Sequence, residues 1–220
     1  MRNSMRNMAY DRDANRQRLT AMLRGIYALI EPQRRPPQPF VEALLAGGVR
    51  LFQIRAKQGI ARGALSAIVS TVRSAGGLTL VNDDVDAALH ADGVHLGQED
   101  AALHDLRVVR ERLRGGVIGL SCGTPDEARA VDPALIDYLG VGPVFATTSK
   151  ADAGLPIGVA GVRAVVEATP LPTAAIGGID LDRLALVRTS GATMAAIISA
   201  LAVADDVAAT ARAYVAAWNS

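Results

Sequence analysis

The feature that most constrains the fold is a unit of one short apolar strand and one helix, which repeats about every 24 residues from residue 25 onward. The pattern predicts eight strands, at residues 26–30, 51–54, 78–81, 94–96, 117–120, 138–141, 173–176 and 194–198. It predicts helices between and after them, at residues 39–46, 64–75, 85–91, 101–113, 125–131, 159–168, 181–188 and 205–217. Eight parallel strands favour an α/β fold of the TIM-barrel type, a single (β/α)8 barrel. A doubly wound open sheet is the alternative, although no GxGxxG motif follows the first strand.

Residues 1–24 precede the first predicted strand, and we interpret them as an N-terminal extension of a barrel domain at residues 25–220. The extension is rich in Arg but also contains Asp11 and Asp13, and it lacks the apolar core of a secretory signal. Two interpretations stay open: a flexible, solvated arm, or a helix from about Asp13 to Leu23 that covers one end of the barrel.

Composition limits the classes of function. The formal net charge of +1 argues against a nucleic-acid surface, and no apolar run reaches the roughly 18 residues of a membrane helix. We therefore expect small-molecule partners, with no nucleic acid and no membrane, and the sequence leaves a homo-oligomer open. The single cysteine, Cys122, excludes an internal disulfide and favours the reducing cytoplasm. We interpret Cys122 as a small buried residue, because no basic group stands beside it to make it a nucleophile.

The stretch LVNDDVDAALHADGVHLGQED places acidic residues after two consecutive strands. Asp83 follows the third strand and Asp100 follows the fourth, at the edge of a barrel where active sites are built. Two carboxylates that face one cavity suit Mg²⁺ and a phosphate, because this ion prefers oxygen ligands. The alternative is that these acids cap helices, a role that Asp84 fits because it immediately precedes Val85.

Basic residues follow the second strand in the stretch FQIRAK. Gln53, Arg55 and Lys57 stand at alternate positions, which directs an amide and two cations from one face of the strand into the barrel mouth. Two inward cations predict an anion between them, such as a diphosphate. A Lys/Arg pair solvated in a loop is the alternative.

The sixth strand continues into GVGPVFATTSK, which holds a hydroxyl-rich loop that ends in a cation. We interpret this loop as an anion clamp, formed by Thr147, Thr148, Ser149 and Lys150. The Gly- and Pro-punctuated residues 151–156 are typical of a mobile lid.

The last two strands end in AIGGID and AAIISAL. Barrels often bind a phosphate monoester here on backbone N–H groups. Gly177 and Gly178 would let the backbone approach the phosphate, with Ile198 and Ser199 opposite. A simple tight turn is the alternative interpretation of the glycine pair.

Two further polar residues on strands are less specific. Ser121, at the end of the fifth strand, would either contact a ligand or cap the helix that begins near Pro125. We interpret His95, inside the fourth strand, as an inward-facing and hydrogen-bonded core residue rather than a catalytic base.

From about Gly25 to the C-terminus, a series of stretches resembles the thiamine phosphate synthase family. The stretches are FQIRAK, LVNDDVDAALHADGVHLGQED, IGLSCGTPDEA, DYLGVGPVFATTSK, AIGGID and AAIISAL. The resemblance implies a TIM-barrel transferase that uses Mg²⁺ as its cofactor. It would join 4-amino-2-methyl-5-(diphosphooxymethyl)pyrimidine to 4-methyl-5-(2-phosphoethyl)thiazole, or to a carboxylated thiazole, with thiamine phosphate and pyrophosphate as products.

The resemblance also implies a role for each matching residue. Asp83 and Asp100 would hold Mg²⁺. The pyrimidine diphosphate would contact Gln53, Ile54, Arg55, Ala56, Lys57, Asn82, Ser121 and Lys150. The thiazole phosphate would contact Thr147, Thr148, Ser149, Gly177, Gly178, Ile198 and Ser199. Arg55, Lys57 and Lys150 would act in catalysis, because pyrophosphate leaves first and its growing negative charge needs cations.

The chain departs from the family pattern at three places. The first strand ends in Glu31-Pro32 rather than Thr-Asp, position 56 is Ala, and residues 151–154 have little charge. Three alternative functions stay open: a thiazole tautomerase-like isomerase with His95 as its base, a non-catalytic paralogue that binds thiazole phosphate, and another phosphate-binding barrel such as a sugar-phosphate epimerase.

Overall fold

Eight short apolar strands pair in parallel with their neighbours in chain order and close into a barrel. The structure is a computed structural model that describes residues 2–147, 149 and 154–220, with side chains from residue 11 onward. The strands are β1 (Gly25–Ile30), β2 (Leu51–Ile54), β3 (Leu78–Asn82), β4 (Gly93–Leu96), β5 (Val117–Cys122), β6 (Tyr138–Val141), β7 (Thr173–Ile176) and β8 (Met194–Ile197). The predicted TIM barrel is confirmed, and the open sheet is wrong because β1 also pairs with β8.

Helices surround the barrel and follow nearly every strand. They are α1 (Arg2–Thr20), α2 (Pro37–Ala46), α3 (Arg62–Ser74), α4 (Val85–Ala88), α5 (Gln98–Ala102), α6 (Leu106–Arg112), α7 (Pro125–Ala130), α8 (Gly158–Glu167), α9 (Leu181–Arg188), α10 (Ser199–Ala202) and α11 (Val207–Asn219). None of the helices in the described part of the chain has the length and apolar character that a membrane span requires.

Two helical predictions need correction. The single helix predicted at residues 101–113 is two helices, α5 and α6, because the chain turns between them and Asp105 begins a new helix. The Asp105 side chain accepts a hydrogen bond from the backbone N–H of Arg107 at 2.9 Å, as an N-cap does. The short helix α10 was not predicted, since four residues are too few to display helical periodicity.

The apolar side chains form two layers because successive strand residues point to opposite faces. Outward-facing residues such as Ile54 and Val94 pack against the helices. Inward-facing residues such as Leu80 and Met194 fill the barrel. The inner layer leaves the carboxyl ends of the strands free to carry polar groups.

The end of α1 and the residues after it close the amino-terminal end of the barrel. Leu19 and Leu23 are buried against the inner layer. The buried Asp137, which precedes β6, accepts hydrogen bonds from Arg16 of α1 and Arg110 of α6, each at 2.6 Å. This carboxylate accepts hydrogen bonds from both guanidinium groups and thereby fastens α1 to the barrel.

Candidate active site

A cavity of about 870 Å³ lies where the loops at the carboxyl ends of the strands meet. Most of the side chains singled out from the sequence line it: Gln53, Arg55, Lys57, Asn82, Asp83, Asp100, Ser121, Thr147, Ser149, Gly177, Gly178, Ile198 and Ser199. The strands run around a closed circle in chain order, so the loops after β2 to β4 lie across the cavity from those after β6 to β8.

Asp83 and Asp100 lie close together on one side of this cavity. Burial raises the pKa of Asp83, and the nearby charge of Asp100 raises it further, against the lowering effects of the Gly97 N–H and the Arg55 charge. The N–H of Gly97 donates to Asp83 Oδ1 at 3.2 Å, and Asn82 Nδ2 donates to Asp83 Oδ2. Two carboxylates that repel each other in this way suit a divalent cation with a preference for oxygen.

Neither acid is the helix cap that the alternative interpretation required. The cap of α4 is Asp84, whose Oδ1 accepts a hydrogen bond from Ala87 N at 2.9 Å. The cap of α5 is Gly97, which has no side chain, and Asp100 lies in the first turn of that helix. A Cβ atom on Gly97 would lie 2.7 Å from Asp100 Oδ2. The missing side chain at position 97 therefore gives the Asp100 carboxylate its room.

The cations after β2 lie beside the acidic pair. Arg55 is only 8 % exposed, and its Nη1 pairs with the buried carboxylate of Glu31, which the sequence analysis did not select. Lys57 is exposed and lines the cavity. Gln53 is buried, and its Nε2 donates to the phenol oxygen of Tyr27 at 2.6 Å. The predicted alternation thus directs these side chains toward the cavity, while that of Ile54 faces outward.

A series of hydrogen bonds between side chains crosses the barrel and forms part of the lining of the cavity. The phenol oxygens of Tyr27 and Tyr138 lie 2.9 Å apart, and that of Tyr138 lies 2.8 Å from His95 Nδ1. His95 Nε2 lies 3.2 Å from Ser121 Oγ. Burial raises the pKa of both phenols, so they stay protonated and available as donors. This series of hydrogen bonds orients Ser121. It agrees with the interpretation of His95 as a hydrogen-bonded core residue.

The two tyrosines were missed because nothing in the local pattern joins positions 111 residues apart. A signal was available, since a tyrosine in a buried strand must find a partner for its hydroxyl group. Gly119 supports this arrangement: a Cβ atom there would lie 2.2 Å from the Tyr138 ring.

Hydroxyl groups lie on the opposite side of the cavity. Ser149 Oγ lies 2.7 Å from Ser199 Oγ, and Thr147 Oγ1 accepts a hydrogen bond from Ser149 N at 3.2 Å. The loop after β6 therefore meets the start of α10. Thr148, Lys150 and residues 151–153 of the predicted lid lie outside the described residues.

The glycine pair after β7 has a structural requirement of its own. Gly177 and Gly178 have φ values of 106° and 63°, which favour glycine. A Cβ atom on Gly178 would also lie 2.5 Å from the carbonyl oxygen of Ala146. Substituting Gly178 would disturb the loop itself, so it is a poor probe of phosphate binding.

Two other residues singled out from the sequence have side chains that lie away from the cavity, whereas Cys122 is buried at its edge. Ile54 is buried in the outer layer and Ala56 packs against it, so neither side chain lines the described cavity. Cys122 is buried, and burial raises its pKa to about 11, which leaves it protonated at neutral pH. This agrees with its interpretation as a buried residue rather than a nucleophile.

Comparison with known proteins decides the family. A family model described as thiamine monophosphate synthase matches residues 26–201. A thiamine-phosphate synthase of Moorella thermoacetica is 45% identical over 185 residues, which make up 81% of this chain and 86% of that protein. The chain belongs to the thiamine monophosphate synthase family. The resemblance inferred from the sequence is thus confirmed, and the protein is an enzyme, a transferase of thiamine biosynthesis.

Solved structures of other proteins have a fold similar to that of this chain. A thiamine phosphate pyrophosphorylase from Pyrococcus furiosus matches with a TM-score of 0.80 and 31% identity, over 90% of this chain and 96% of that one. A (S)-3-O-geranylgeranylglyceryl phosphate synthase from Thermoplasma acidophilum matches with a TM-score of 0.68 at 12% identity, over 92% of this chain and 96% of that one. The second likeness concerns the fold alone.

Proposed function

We propose that this member of the family joins 4-amino-2-methyl-5-(diphosphooxymethyl)pyrimidine to 4-methyl-5-(2-phosphoethyl)thiazole. A carboxylated thiazole, which would also lose its carboxyl group as CO₂, is the alternative acceptor. The bond between the pyrimidine methylene carbon and the diphosphate oxygen breaks, and its electron pair leaves with pyrophosphate. The thiazole nitrogen then uses its lone pair to form the new C–N bond of thiamine phosphate. This dissociative order needs no protein nucleophile, which agrees with the raised pKa of Cys122.

The observation that carries the proposal is the separation of two polar regions across one cavity. One region has Arg55 and Lys57 beside a pair of carboxylates. The other has the paired hydroxyls of Ser149 and Ser199. A diphosphate matches the first region and a phosphate monoester matches the second, because cations and a metal suit the more highly charged group.

We infer that Asp83 and Asp100 hold Mg²⁺. The donor set fits this ion, since both ligands are carboxylate oxygens. Among the described residues no cluster of three or more His, Cys, Asp or Glu side chains forms a metal site, so the remaining ligands would come from substrate and water. When bound, the ion would neutralise part of the negative charge on the diphosphate.

The chain's own residues stabilise the leaving group and orient the pyrimidine. Arg55 and Lys57 face the negative charge that grows on the diphosphate as its bond to carbon breaks, and Lys150 is assigned the same role on sequence alone. Ser121, oriented by His95 and Tyr138, contacts the pyrimidine. We further propose a cytoplasmic location, which the single reduced cysteine supports.

The test is a coupled assay of pyrophosphate release, with each substrate omitted in turn and with Mg²⁺ present or removed by chelation. We expect release only when both substrates and Mg²⁺ are present. Binding of thiazole phosphate without any release would favour the non-catalytic alternative. Release that is equally fast without Mg²⁺ would contradict the assignment of Asp83 and Asp100.

Gly97→Ala tests whether the Asp100 carboxylate needs the space beside Gly97 in order to hold Mg²⁺. The φ of −67° at Gly97 allows alanine, and its Cβ would meet only the flexible end of Asp100. We expect the Mg²⁺ concentration for half-maximal activity to rise about tenfold, as when the support of a metal ligand is lost, with little change in melting temperature. Gly63→Ala on α3 is the control, because a Cβ there meets open space. Equal Mg²⁺ requirements in the two variants would count against the prediction.

Ser199→Ala tests the monophosphate region. The change removes one hydroxyl donor, so the KM for thiazole phosphate should rise about tenfold, while the KM for the pyrimidine diphosphate stays near its original value. Ser66→Ala, on the exposed face of α3, is the matched control. Steady-state kinetics with one substrate varied at a time give both constants, and a parallel rise in both would reject the assignment.

A further inference from the structure

A buried carboxylate, Glu31, lies at the end of β1 between two arginines. Its Oε1 accepts a hydrogen bond from Arg55 Nη1 and its Oε2 accepts one from Arg34 Nε. The Glu31 side chain is 2 % exposed and that of Arg55 10 %, whereas that of Arg34 is 38 % exposed. Glu31 does not line the described cavity, but Arg55 does. The carboxylate therefore reaches the guanidinium group from the side away from the ligand space.

This contact leaves Arg55 able to bind an anion. A guanidinium group has five N–H donors, so pairing with Glu31 leaves donors for a ligand in the cavity. The trio of Arg34, Glu31 and Arg55 also keeps one net positive charge, since the two cations outweigh the single carboxylate. Arg34 thus offsets the charge that Glu31 would otherwise subtract from the anion-binding region.

A second carboxylate competes for the same guanidinium group. Asp83 follows β3, on the other side of β2, and its electrostatic environment includes the charge of Arg55. A direct pair between Arg55 and Asp83 would withdraw a cation from the diphosphate and a carboxylate from the metal at once. Because opposite charges in a partly buried site attract strongly, something must hold Arg55 toward β1.

We propose that Glu31 is a positioning residue, which holds the Arg55 guanidinium toward β1 so that it meets the diphosphate instead of pairing with Asp83. The proposal rests on the proposed function, because it assumes that Arg55 binds the diphosphate.

Glu31→Gln tests the proposal, since glutamine keeps the size and one oxygen acceptor but removes the charge. We expect the KM for the pyrimidine diphosphate and the Mg²⁺ requirement each to rise about tenfold, the cost of a lost charge-assisted contact, with the KM for thiazole phosphate unchanged. Glu31→Asp keeps the charge and should recover much of the loss. An equal loss in both variants would overturn the proposal.

Asp137→Asn is the matched control. Asp137 is likewise a 2 % exposed carboxylate between two arginines, but it lies at the opposite end of the barrel. Both changes should lower the melting temperature, and only Glu31→Gln should change the KM. A purely structural role for Glu31 predicts that the two variants behave alike, and that result would overturn the proposal.

Binding of pyrophosphate alone, measured by calorimetry with Mg²⁺, separates this proposal from the proposed function. We expect affinity about tenfold weaker in Glu31→Gln than in the wild-type chain, and a clearly smaller loss in Arg34→Ala, which removes the offsetting charge but leaves the pair with Arg55 intact. If the wild-type chain binds pyrophosphate but makes no thiamine phosphate, the proposed function fails and Glu31 is still tested. Unchanged affinity in Glu31→Gln overturns the proposal whatever the activity.

Discussion

Replacing either Asp83 or Asp100 with Asn is expected to weaken Mg²⁺ activation by about 100-fold or more and to slow pyrophosphate release. Asparagine keeps the size and one oxygen acceptor but removes the charge that attracts a hard dication. The KM for thiazole phosphate should change little, because the hydroxyl groups of Ser149 and Ser199 lie across the cavity. Titrating kcat with Mg²⁺ and measuring the KM of each substrate tests the expectation.

The melting temperature of the chain tests Mg²⁺ binding at Asp83 without catalytic turnover. The raised pKa of Asp83 means that the folded chain holds this proton more tightly than the unfolded chain does. Ionised Asp83 therefore destabilises the metal-free fold above its raised pKa, and this cost disappears as the pH falls below the ordinary aspartate pKa. Mg²⁺ should offset the cost at neutral pH, so it should raise the melting temperature of the wild-type chain and have little effect on Asp83→Asn.

The neighbouring acid supplies the control. Asp84 caps α4, and asparagine is an equally good cap, so Asp84→Asn should keep both its stability and its Mg²⁺ response. In the double variant, with Asn at both Asp83 and Asp100, the loss of activity should be much smaller than the product of the two single losses. Both residues act through one ion, so the second change removes little that the first has left. Full multiplicative losses would mean that the two carboxylates act independently.

Arg55→Lys is expected to lower kcat by roughly 100-fold, the usual effect of losing a preorganised donor that faces developing charge. Lysine keeps the positive charge but has a single ammonium group, which cannot pair with Glu31 and hold the diphosphate in the fixed geometry of a guanidinium fork. The larger effect should fall on kcat rather than KM, since the charge on the leaving group grows as the bond breaks.

Arg110→Lys is the matched control for this change. Arg110 is also mostly buried and also pairs with a buried carboxylate, Asp137, at the far end of the barrel. We expect a loss of stability in both variants and a fall in kcat only in Arg55→Lys. If kcat is unchanged and only the KM for the pyrimidine diphosphate rises, Arg55 contributes uniform binding and its assigned role in the transition state is wrong.

The strands and the ends that carry the site could be predicted because their signals are local. Apolar runs that break into NDD, RAK or GGID show where each strand ends, and parallel strands bring those ends together. The break at Asp105 was missed because an apolar, helix-forming stretch continues on both sides of it. A capping residue inside such a stretch ends one helix and begins another only when the surrounding packing favours a turn, and the helical periodicity of the sequence does not show that packing.

The contacts that tune the site could not be predicted for a different reason. The hydrogen bond between Tyr27 and Tyr138 joins two different strands, and the pair between Glu31 and Arg55 joins the residues that directly follow two different strands. Each partner alone has an ordinary explanation, as a core aromatic residue or a solvated charge. Only the register of the barrel reveals that buried polar groups meet, so these contacts require the structure.

The apolar closure formed by Leu19 and Leu23 has a consequence for the traffic of molecules. It makes the cavity a well with its opening at the loop end, so two substrates and two products must share one passage. Pyrophosphate that remains in this passage would therefore compete with the next pyrimidine diphosphate for entry.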